Sequence, residues 1–148
     1  MGYSRLRRGR ASISGQVYHV IATTLQRAPV FLDFNQARSA IRVLMDEDKL
    51  GAVATLAFVL MPDHLHWLVQ LEGDTDIRDV VGRVKSLIAR RLDGSVWQPG
   101  FYDHALRKDE DIATVARYIV ANPVRAGLVS KLGDYPHWDA IWIDVSAK

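Results

Sequence analysis

The pattern of apolar and polar positions along the chain predicts short strands alternating with amphipathic helices. Residues 17–25 are rich in β-branched and aromatic side chains, which is typical of a strand. From Asn35 onward, apolar residues recur at helical spacing, with Asp33 or Asn35 available as the N-cap and Gly51 beyond the end. The stripe consists of Ala37, Ala40, Ile41, Leu44 and Met45.

The next segments predict a pair of neighbouring strands. Residues 52–60 are short and apolar on both faces, as expected of a strand buried inside a sheet. Residues 61–63 then interrupt the pattern, and because Pro62 cannot donate to a ladder, the chain must turn before a second strand at residues 64–71. We expect these two strands to form a hairpin.

Two more helices and a strand are indicated downstream. A second helix carries one apolar stripe and ends at Gly94. Residues 96–107 contain aromatic residues interrupted by Pro99 and Gly100, which indicates a loop followed by a fourth strand. The acidic run at residues 109–111 favours a helix N-terminus and opens the third helix. Its buried stripe is Ile112, Val115, Ala116, Ile119 and Val120.

This order of elements matches one known arrangement. Strand, helix, strand, strand, helix and strand, followed by a further helix, correspond to an α+β ferredoxin-like sandwich with an antiparallel sheet and an additional C-terminal helix. A length of 148 residues with 49% apolar content suits a single domain. We expect residues 1–148 to form it, with a basic N-terminal arm at 1–14 and an apolar tail at 135–148 that packs back.

Composition narrows the chemistry. Cysteine is absent, so any metal must be bound by histidine, carboxylate, amide or substrate oxygens. The absence of cysteine suits a reducing cytoplasm. No apolar run approaches the roughly 20 residues that are needed to span a bilayer. The net charge of +2 is unevenly distributed, which makes nucleic acid a plausible partner, although scattered charges are more often a solvated surface.

A histidine pair is the first candidate site. In a strand at residues 64–71 the side chains alternate, so His64 and His66 share one face while Leu65, Trp67 and Val69 share the other. The i, i+2 spacing lets both imidazoles converge on one divalent ion. The simpler interpretation is two histidines on a half-exposed strand face.

The third helix supplies a second candidate. Tyr118 lies outside the apolar stripe, so it need not be a core residue. Asn122, four residues later, lies on the same side and could present its amide oxygen to whatever Tyr118 faces. Alternatively, Asn122 caps a short following helix that has Pro123 at its first position. The two roles are compatible.

Three segments together resemble a known family. Residues 61–69 (MPDHLHWLV), 97–107 (WQPGFYDHALR) and 118–129 (YIVANPVRAGLV) are similar to the corresponding motifs of the REP-associated tyrosine transposases, which belong to the HUH single-tyrosine nucleases. The likeness covers most of the chain. A lone His-x-His would be weak evidence, but three motifs in this order are specific.

The resemblance implies a metal-dependent DNA transposase with a ferredoxin-like core. On this chain the metal ligands fall on His64, His66 and Asn122, the metal being Mg²⁺ or Mn²⁺, and the nucleophile falls on Tyr118. Asp63 stands where many relatives have asparagine, a difference not expected to abolish metal binding. The implied activity is single-stranded DNA cleavage and strand transfer at hairpin (REP-like) elements through a 5′-phosphotyrosine intermediate. The hairpin comes from the resemblance alone.

Several other residues are candidate DNA contacts, although each charged one alone is more typical of a solvated surface. Tyr102 and Trp97 could stack unpaired bases if they are exposed. His104 could contact the metal edge or DNA, or could organise its loop. His19 could border the site, although a satisfied core or surface histidine is the commoner case. The full set of predicted DNA contacts is Arg7, Arg8, Arg10, Lys85, Arg90, Tyr102, His104, Arg107 and Arg125.

Two alternative functions remain open. A DNA-binding protein of the same fold that has lost cleavage would use only the basic surface, and a metal-dependent hydrolase of small molecules would not need a nucleophilic tyrosine. The intact His64, His66 and Tyr118 favour the enzyme. We expect a cytoplasmic protein that does not contact membranes, binds single-stranded or hairpin DNA, and is a monomer rather than a dimer.

Overall fold

The computed structural model describes residues 15–141. The predicted N-terminal arm, with Arg7, Arg8 and Arg10, lies outside the described residues, as does the end of the predicted tail at residues 142–148. Within residues 15–141, no helix is both long enough and apolar enough to cross a bilayer.

The helices and strands follow the predicted order closely. Asp33 is the N-cap of the first helix, where its carboxylate accepts a hydrogen bond from the backbone N–H of Gln36 at 3.0 Å, and Asp111 caps the third helix in the same way. Both helix starts therefore come from local sequence signals. The elements are β1 (Val17–Thr23), α1 (Phe34–Lys49), β2 (Val53–Met61), β3 (His64–Leu71), α2 (Ile77–Arg91), β4 (Tyr102–Ala105), α3 (Ile112–Val120), α4 (Asn122–Arg125) and β5 (Trp138–Ala140).

The strands of residues 15–141 form one five-stranded antiparallel sheet in the order β4-β1-β3-β2-β5. The first four strands of this order reproduce the ferredoxin-like arrangement, so the predicted fold class is confirmed. The predicted hairpin of β2 and β3 is also confirmed, with Met61 paired to His64 next to the turn. Strand β3 is central, because it is hydrogen-bonded to β1 on one edge and to β2 on the other.

Helices cover both faces of the sheet. On one face, α1 and α2 pack against alternate residues of β3, including the fully buried Trp67 and Val69. On the opposite face, α3 packs through Ala116, Ile119 and Val120 against a second cluster that contains Leu68 of β3. Strand β3 is thus buried from both sides, and its alternation decides which residues meet which helices.

A fifth strand was not predicted from the sequence. Strand β5 has only three residues and extends the sheet by pairing with β2, where Ala140 lies opposite Ala57. Just before it, Tyr135 is buried, and its hydroxyl donates a hydrogen bond to the carbonyl oxygen of Leu60 at 2.6 Å. A run of three residues carries too little alternation to be recognised, so this strand depends on the tertiary contact.

We expect Tyr135→Phe to lower the free energy of unfolding by about 1 kcal/mol, because the carbonyl of Leu60 loses its buried donor. Urea unfolding at neutral pH measures the change. Burial also raises the pKa of Tyr135 to about 12. The stabilisation is therefore complete below about pH 10, the pKa of an unfolded tyrosine, and is lost as the pH rises towards 12.

Tyr102→Phe is the matched control, because it removes a hydroxyl from a ring that is 55% exposed. We expect that variant to change the free energy of unfolding by less than about 0.5 kcal/mol. Equal effects of the two substitutions would contradict the structural role given to the Tyr135 hydroxyl.

Candidate functional site

The sheet face covered by α3 carries the predicted histidine pair. His64 and His66 alternate with Leu65 and Trp67 along β3, and the latter two belong to the core under α1 and α2. Leu68, which shares the face of the histidines, packs against α3. The prediction that both imidazoles share one face is therefore confirmed, and that face is the one on which the tyrosine-bearing helix lies.

Each imidazole of the pair is held by a partner at its Nδ1 atom. His64 Nδ1 lies 2.8 Å from a carboxylate oxygen of Asp63, and His66 Nδ1 lies 3.0 Å from Nε2 of His19 on β1. The ring centroids of His64 and His66 are 4.9 Å apart. Because metal–imidazole bonds are about 2 Å long, two rings at this separation can reach one ion.

Burial disfavours the charged forms of His66 and His19. Desolvation is the largest cause that lowers the pKa of His66 to about 3, and the charges of His64, His19 and Arg125 lower it further. Burial followed by the charge of His104 lowers the pKa of His19. A neutral imidazole retains one nitrogen lone pair, so these groups are in the protonation state that a metal ligand needs.

Asp63 remains ionised beside them. Burial acts to raise its pKa, but the hydrogen bond and charge of His64, together with Arg27, outweigh that effect, and the pKa is lowered. The side chain of Arg27 donates to the second carboxylate oxygen at 3.1 Å. The Asp63 carboxylate, held by Arg27, therefore accepts a hydrogen bond from His64. This role was not predicted from the sequence.

Tyr118 is exposed on α3, as its position outside the apolar stripe predicted. The residue is 61% exposed, whereas Ile119, next to it in the chain, is fully buried. The guanidinium carbon of Arg125 lies 3.9 Å from the centre of the Tyr118 ring, and its NH1 donates to the Tyr118 carbonyl oxygen at 2.8 Å. The positive charge of the same guanidinium is also one of the causes that lower the pKa of His66.

Asn122 does not cap the following helix, so that interpretation is wrong. The N-cap of α4 is Ala121, and no side chain caps it. Instead, Asn122 Nδ2 donates to the carbonyl oxygen of Ile119 at 2.7 Å. In an unbroken helix that carbonyl would accept from the N–H of residue 123, which is a proline without one. With its amide nitrogen engaged, Asn122 retains its amide oxygen as an acceptor.

Imidazole nitrogen and amide oxygen are both atom types that bind divalent ions. Across residues 15–141, no group of three or more histidine, cysteine, aspartate or glutamate side chains is arranged to hold a metal. The candidate set is instead His64 and His66 with the amide oxygen of Asn122. Since both Nδ1 atoms are engaged by Asp63 and His19, the Nε2 atoms are the ones left to bind a metal.

Two more predicted residues lie on the same sheet face. Tyr102 and His104 of β4 are paired with β1, where His104 lies opposite His19. The Tyr102 ring is 55% exposed and meets His19 edge-on, with ring centroids 6.2 Å apart. His104 Nε2 lies 3.0 Å from a carboxylate oxygen of Glu110, which also accepts from the backbone of Arg107. His104 therefore does hold its loop together.

Other predicted contacts lie away from the histidine pair. Lys85 and Arg90 are on α2, which covers the opposite face. The Lys85 ammonium donates to the carbonyl oxygens of Gln98 and Gly100, so it fastens the loop before β4. Trp97 packs against the core under α1 and α2, which makes it unsuitable for the base stacking considered for it. Arg107 is exposed near the β4 end, 3.4 Å from Asp109.

Three contacts at the site were not predicted from the sequence. They are Asp63 with His64, His19 with His66, and Arg125 with Tyr118. The alternation of residues 17–21 placed His19 at the border of the site, which is the one available signal. Nothing in the local pattern relates Arg125 to Tyr118, because the contact depends on how the chain bends after α3.

Comparison with known proteins gives a consistent result. Residues 12–122 match the model of the family described as "Transposase IS200 like". The chain is 31% identical to a putative REP-associated tyrosine transposase of Haemophilus influenzae, over 56% of this chain and 56% of that protein. It is 34% identical to the REP-associated tyrosine transposase of Escherichia coli K12, over 54% of this chain and 50% of that protein. The chain spans about half the length of these curated relatives.

Solved structures agree with the fold. A REP-associated tyrosine transposase bound to a REP hairpin matches with a TM-score of 0.75 and 26% identity, covering 90% of this chain and 81% of that one. A putative transposase from Deinococcus radiodurans R1 matches with a TM-score of 0.57 and 25% identity, covering 77% of this chain and 95% of that one. The resemblance inferred from the three sequence motifs is confirmed.

The lowered pKa of His66 predicts that the metal-free protein loses stability on mild acidification. An unfolded His66 takes up a proton near pH 6.5, whereas the folded one resists protonation down to about pH 3. Between these values the unfolded state binds more protons, so the free energy of unfolding falls as the pH decreases. For one group the slope approaches about 1.4 kcal/mol per pH unit.

Urea unfolding of wild type and His66→Gln across this range measures the contribution. The variant lacks the titrating imidazole, so its free energy of unfolding should depend less steeply on pH. Parallel curves for the two proteins would contradict the buried, neutral state of His66.

Proposed function

The chain belongs to the IS200-like transposase family, and we propose that it is a single-stranded DNA endonuclease and strand transferase that uses Tyr118 as its nucleophile. The single observation that carries this proposal is that Tyr118, with the Arg125 guanidinium over its ring, lies on the helix that packs against the sheet face of His64 and His66. An exposed phenol and a histidine pair thus belong to the same face of one chain. The simpler interpretations, a histidine pair on a half-exposed strand and an unrelated surface tyrosine, do not explain why both lie on the same face.

The proposed reaction is a transesterification at phosphorus. The Tyr118 phenol oxygen forms a bond to phosphorus while the bond to the 3′ oxygen breaks, which leaves a 5′-phosphotyrosine and a free 3′-hydroxyl. The phenol gives up its proton and the departing oxygen takes one. The ester is conserved, so a second attack by a DNA 3′-hydroxyl rejoins the strand. This suits strand transfer.

His64, His66 and Asn122 are proposed to bind Mg²⁺ or Mn²⁺ through two Nε2 atoms and an amide oxygen. When bound, such an ion polarises and orients the scissile phosphate. The protein residues supply the rest of the arrangement: Asp63 and His19 fix the ring orientations through the two Nδ1 atoms. The hydrogen bond of Asn122 to the end of α3 keeps its amide next to the helix that carries the nucleophile.

Arg125 is proposed to act on both the nucleophile and the substrate. Its hydrogen bond to the Tyr118 carbonyl fixes the guanidinium over the ring, and this contact limits the motion of an otherwise exposed phenol. Its positive charge would also offset that of the approaching phosphate. Of the predicted DNA contacts within residues 15–141, Arg125 is the one tied directly to the nucleophile.

The proposed partner is single-stranded or hairpin DNA, since a related transposase is known in complex with a REP hairpin. Tyr102, His104 and Arg107 border the α3 face and are proposed to contact it. For Lys85 and Arg90, which lie on the other layer, and for Arg7, Arg8 and Arg10, DNA contact remains a proposal without a structural argument. We also propose a single domain, a monomer and a cytoplasmic location. The monomer is supported by the position of Tyr118 on the helix that packs against the sheet face of the histidine pair in the same chain.

Incubation with single-stranded hairpin oligonucleotides and Mn²⁺ or Mg²⁺ tests the function directly. We expect a protein–DNA adduct that survives denaturing electrophoresis, because the bond is a covalent phosphotyrosine. Tyr118→Phe and His64→Ala should each abolish it. The matched variant Tyr102→Phe should still form it, since the second exposed tyrosine of this face keeps its ring and is not the nucleophile.

An adduct that survives Tyr118→Phe and disappears in Tyr102→Phe would transfer the nucleophilic role to Tyr102. Hairpin binding without any adduct would instead support the second candidate, a DNA-binding protein of this fold that does not cleave. Neither outcome is expected from the geometry around Arg125.

Arg125→Gln is expected to slow adduct formation by roughly 100-fold, the usual scale for losing one charge-stabilising donor. Arg125→Lys should recover only part of the rate, because an ammonium cannot both stack on the ring and donate from a planar fork. Single-turnover rates measure the effect. Arg42→Gln removes an exposed arginine of α1, on the opposite layer, and should leave the rate unchanged. Equal losses in Arg125→Gln and Arg42→Gln would indicate general electrostatics only.

A further inference from the structure

The contact between His19 and His66 joins two neighbouring strands. His19 lies on β1, where residues 17, 19 and 21 face α3. On β3, His66 is two residues from Leu68, the residue directly opposite His19, so the two histidines are diagonal neighbours on one face. The Nε2 atom of His19 is 3.0 Å from the Nδ1 atom of His66, and the ring centroids are 5.2 Å apart. His66 is only 9% exposed, so the geometry of this contact is set by the fold rather than by solvent.

A hydrogen bond between two neutral imidazoles requires one proton between the two facing nitrogen atoms. Whether that proton belongs to His19 Nε2 or to His66 Nδ1 determines whether His66 can bind a metal through Nε2. If His19 donates, the remaining proton of His66 is on Nε2, and that atom cannot bind a metal. If His66 donates from Nδ1, its Nε2 carries a lone pair. Only the second arrangement is compatible with a ligand role for His66.

His64 provides the comparison within the same site. Its Nδ1 atom lies 2.8 Å from Asp63, whose carboxylate can only accept when it is ionised. The neutral ring of His64 that makes this contact therefore has its proton on Nδ1 and a lone pair on Nε2. His66 also has a contact at Nδ1, but its partner is the imidazole of His19, which can either donate or accept the hydrogen bond.

We propose that His19 is a positioning residue that accepts a hydrogen bond from Nδ1 of His66 and thereby holds the Nε2 lone pair of His66 ready for a divalent ion. This rests on the proposed function of the histidine pair. His19 itself then carries its proton on Nδ1, on the side of its ring away from His66. Tyr102 and His104 of β4, the polar side chains that face His19 from the sheet edge, border that ring.

Two measurements on the whole chain test this inference. In the metal-free protein, long-range ¹H–¹⁵N NMR of the imidazoles should show the proton of His66 on Nδ1, and His19→Leu should shift the population towards Nε2–H. In calorimetric titration with Mn²⁺, His19→Leu should weaken binding by about 10- to 100-fold, the usual effect of losing a partner of a metal ligand.

Two control variants separate positioning from general damage. His19→Gln keeps an acceptor oxygen near the position of Nε2 and should restore most of the Mn²⁺ affinity. His137→Leu makes the same substitution at another buried histidine, which is remote in sequence and packs against Tyr135 and Phe34, and should leave Mn²⁺ affinity at the wild-type value.

The outcomes distinguish this inference from the proposed function. A His19→Leu protein that binds Mn²⁺ as tightly as wild type and still forms the DNA adduct would overturn only the role of His19. A wild-type His66 with its proton on Nε2 would overturn it as well, and this result does not depend on any variant folding. Failure of the wild-type protein to bind Mn²⁺ would remove the metal from the proposed function, and this inference with it.

Discussion

The alternation of side chains along β3 is the constraint on which both the fold and the site depend. Because β3 is hydrogen-bonded on both edges, a slip of one residue would turn Trp67 and Val69 towards α3 and drive His64 and His66 into the apolar core under α1 and α2. Trp67 opposes such a slip, since it is 1% exposed and its indole N–H donates to the Thr55 hydroxyl at 2.9 Å. The residues that stabilise the sheet thus also aim the imidazoles.

The same burial sets the charge state of the site. Desolvation opposes a positive charge on His66 and His19, and an imidazole that cannot be protonated keeps a lone pair for a metal or a hydrogen bond. This comes at a cost, because buried imidazoles need partners at their remaining nitrogen. His19 and Asp63 are those partners. Both the stability of the fold and metal binding therefore require that His64 and His66 each have one ring nitrogen in a hydrogen bond and the other free for a ligand.

Local patterns predicted most of the fold and part of the site. The apolar stripes, the Asp33 cap, the acidic run at residues 109–111 and the Pro62 break are short-range signals, and the elements that they predict are present. Strand β5 was missed because its three residues form a strand only by pairing with the edge of β2. The shared face of His64 and His66 followed from alternation alone. Their partners did not, since the register that brings His19 to His66 is a tertiary property.

The break after α3 determines which side chains surround Tyr118. In a continuous helix, residue 125 would rise about 10 Å along the axis from Tyr118, too far for its side chain to reach back to that carbonyl while lying over the ring. Pro123 lacks the N–H that would bond to the carbonyl of Ile119, and this carbonyl accepts instead from the side chain of Asn122. The carbonyl of Tyr118 accepts from the side chain of Arg125. The groups that satisfy the end of the helix are thereby the same ones that surround the tyrosine. A change at Pro123 that let the helix continue would therefore displace both side chains at once, without altering Tyr118 or the histidine pair.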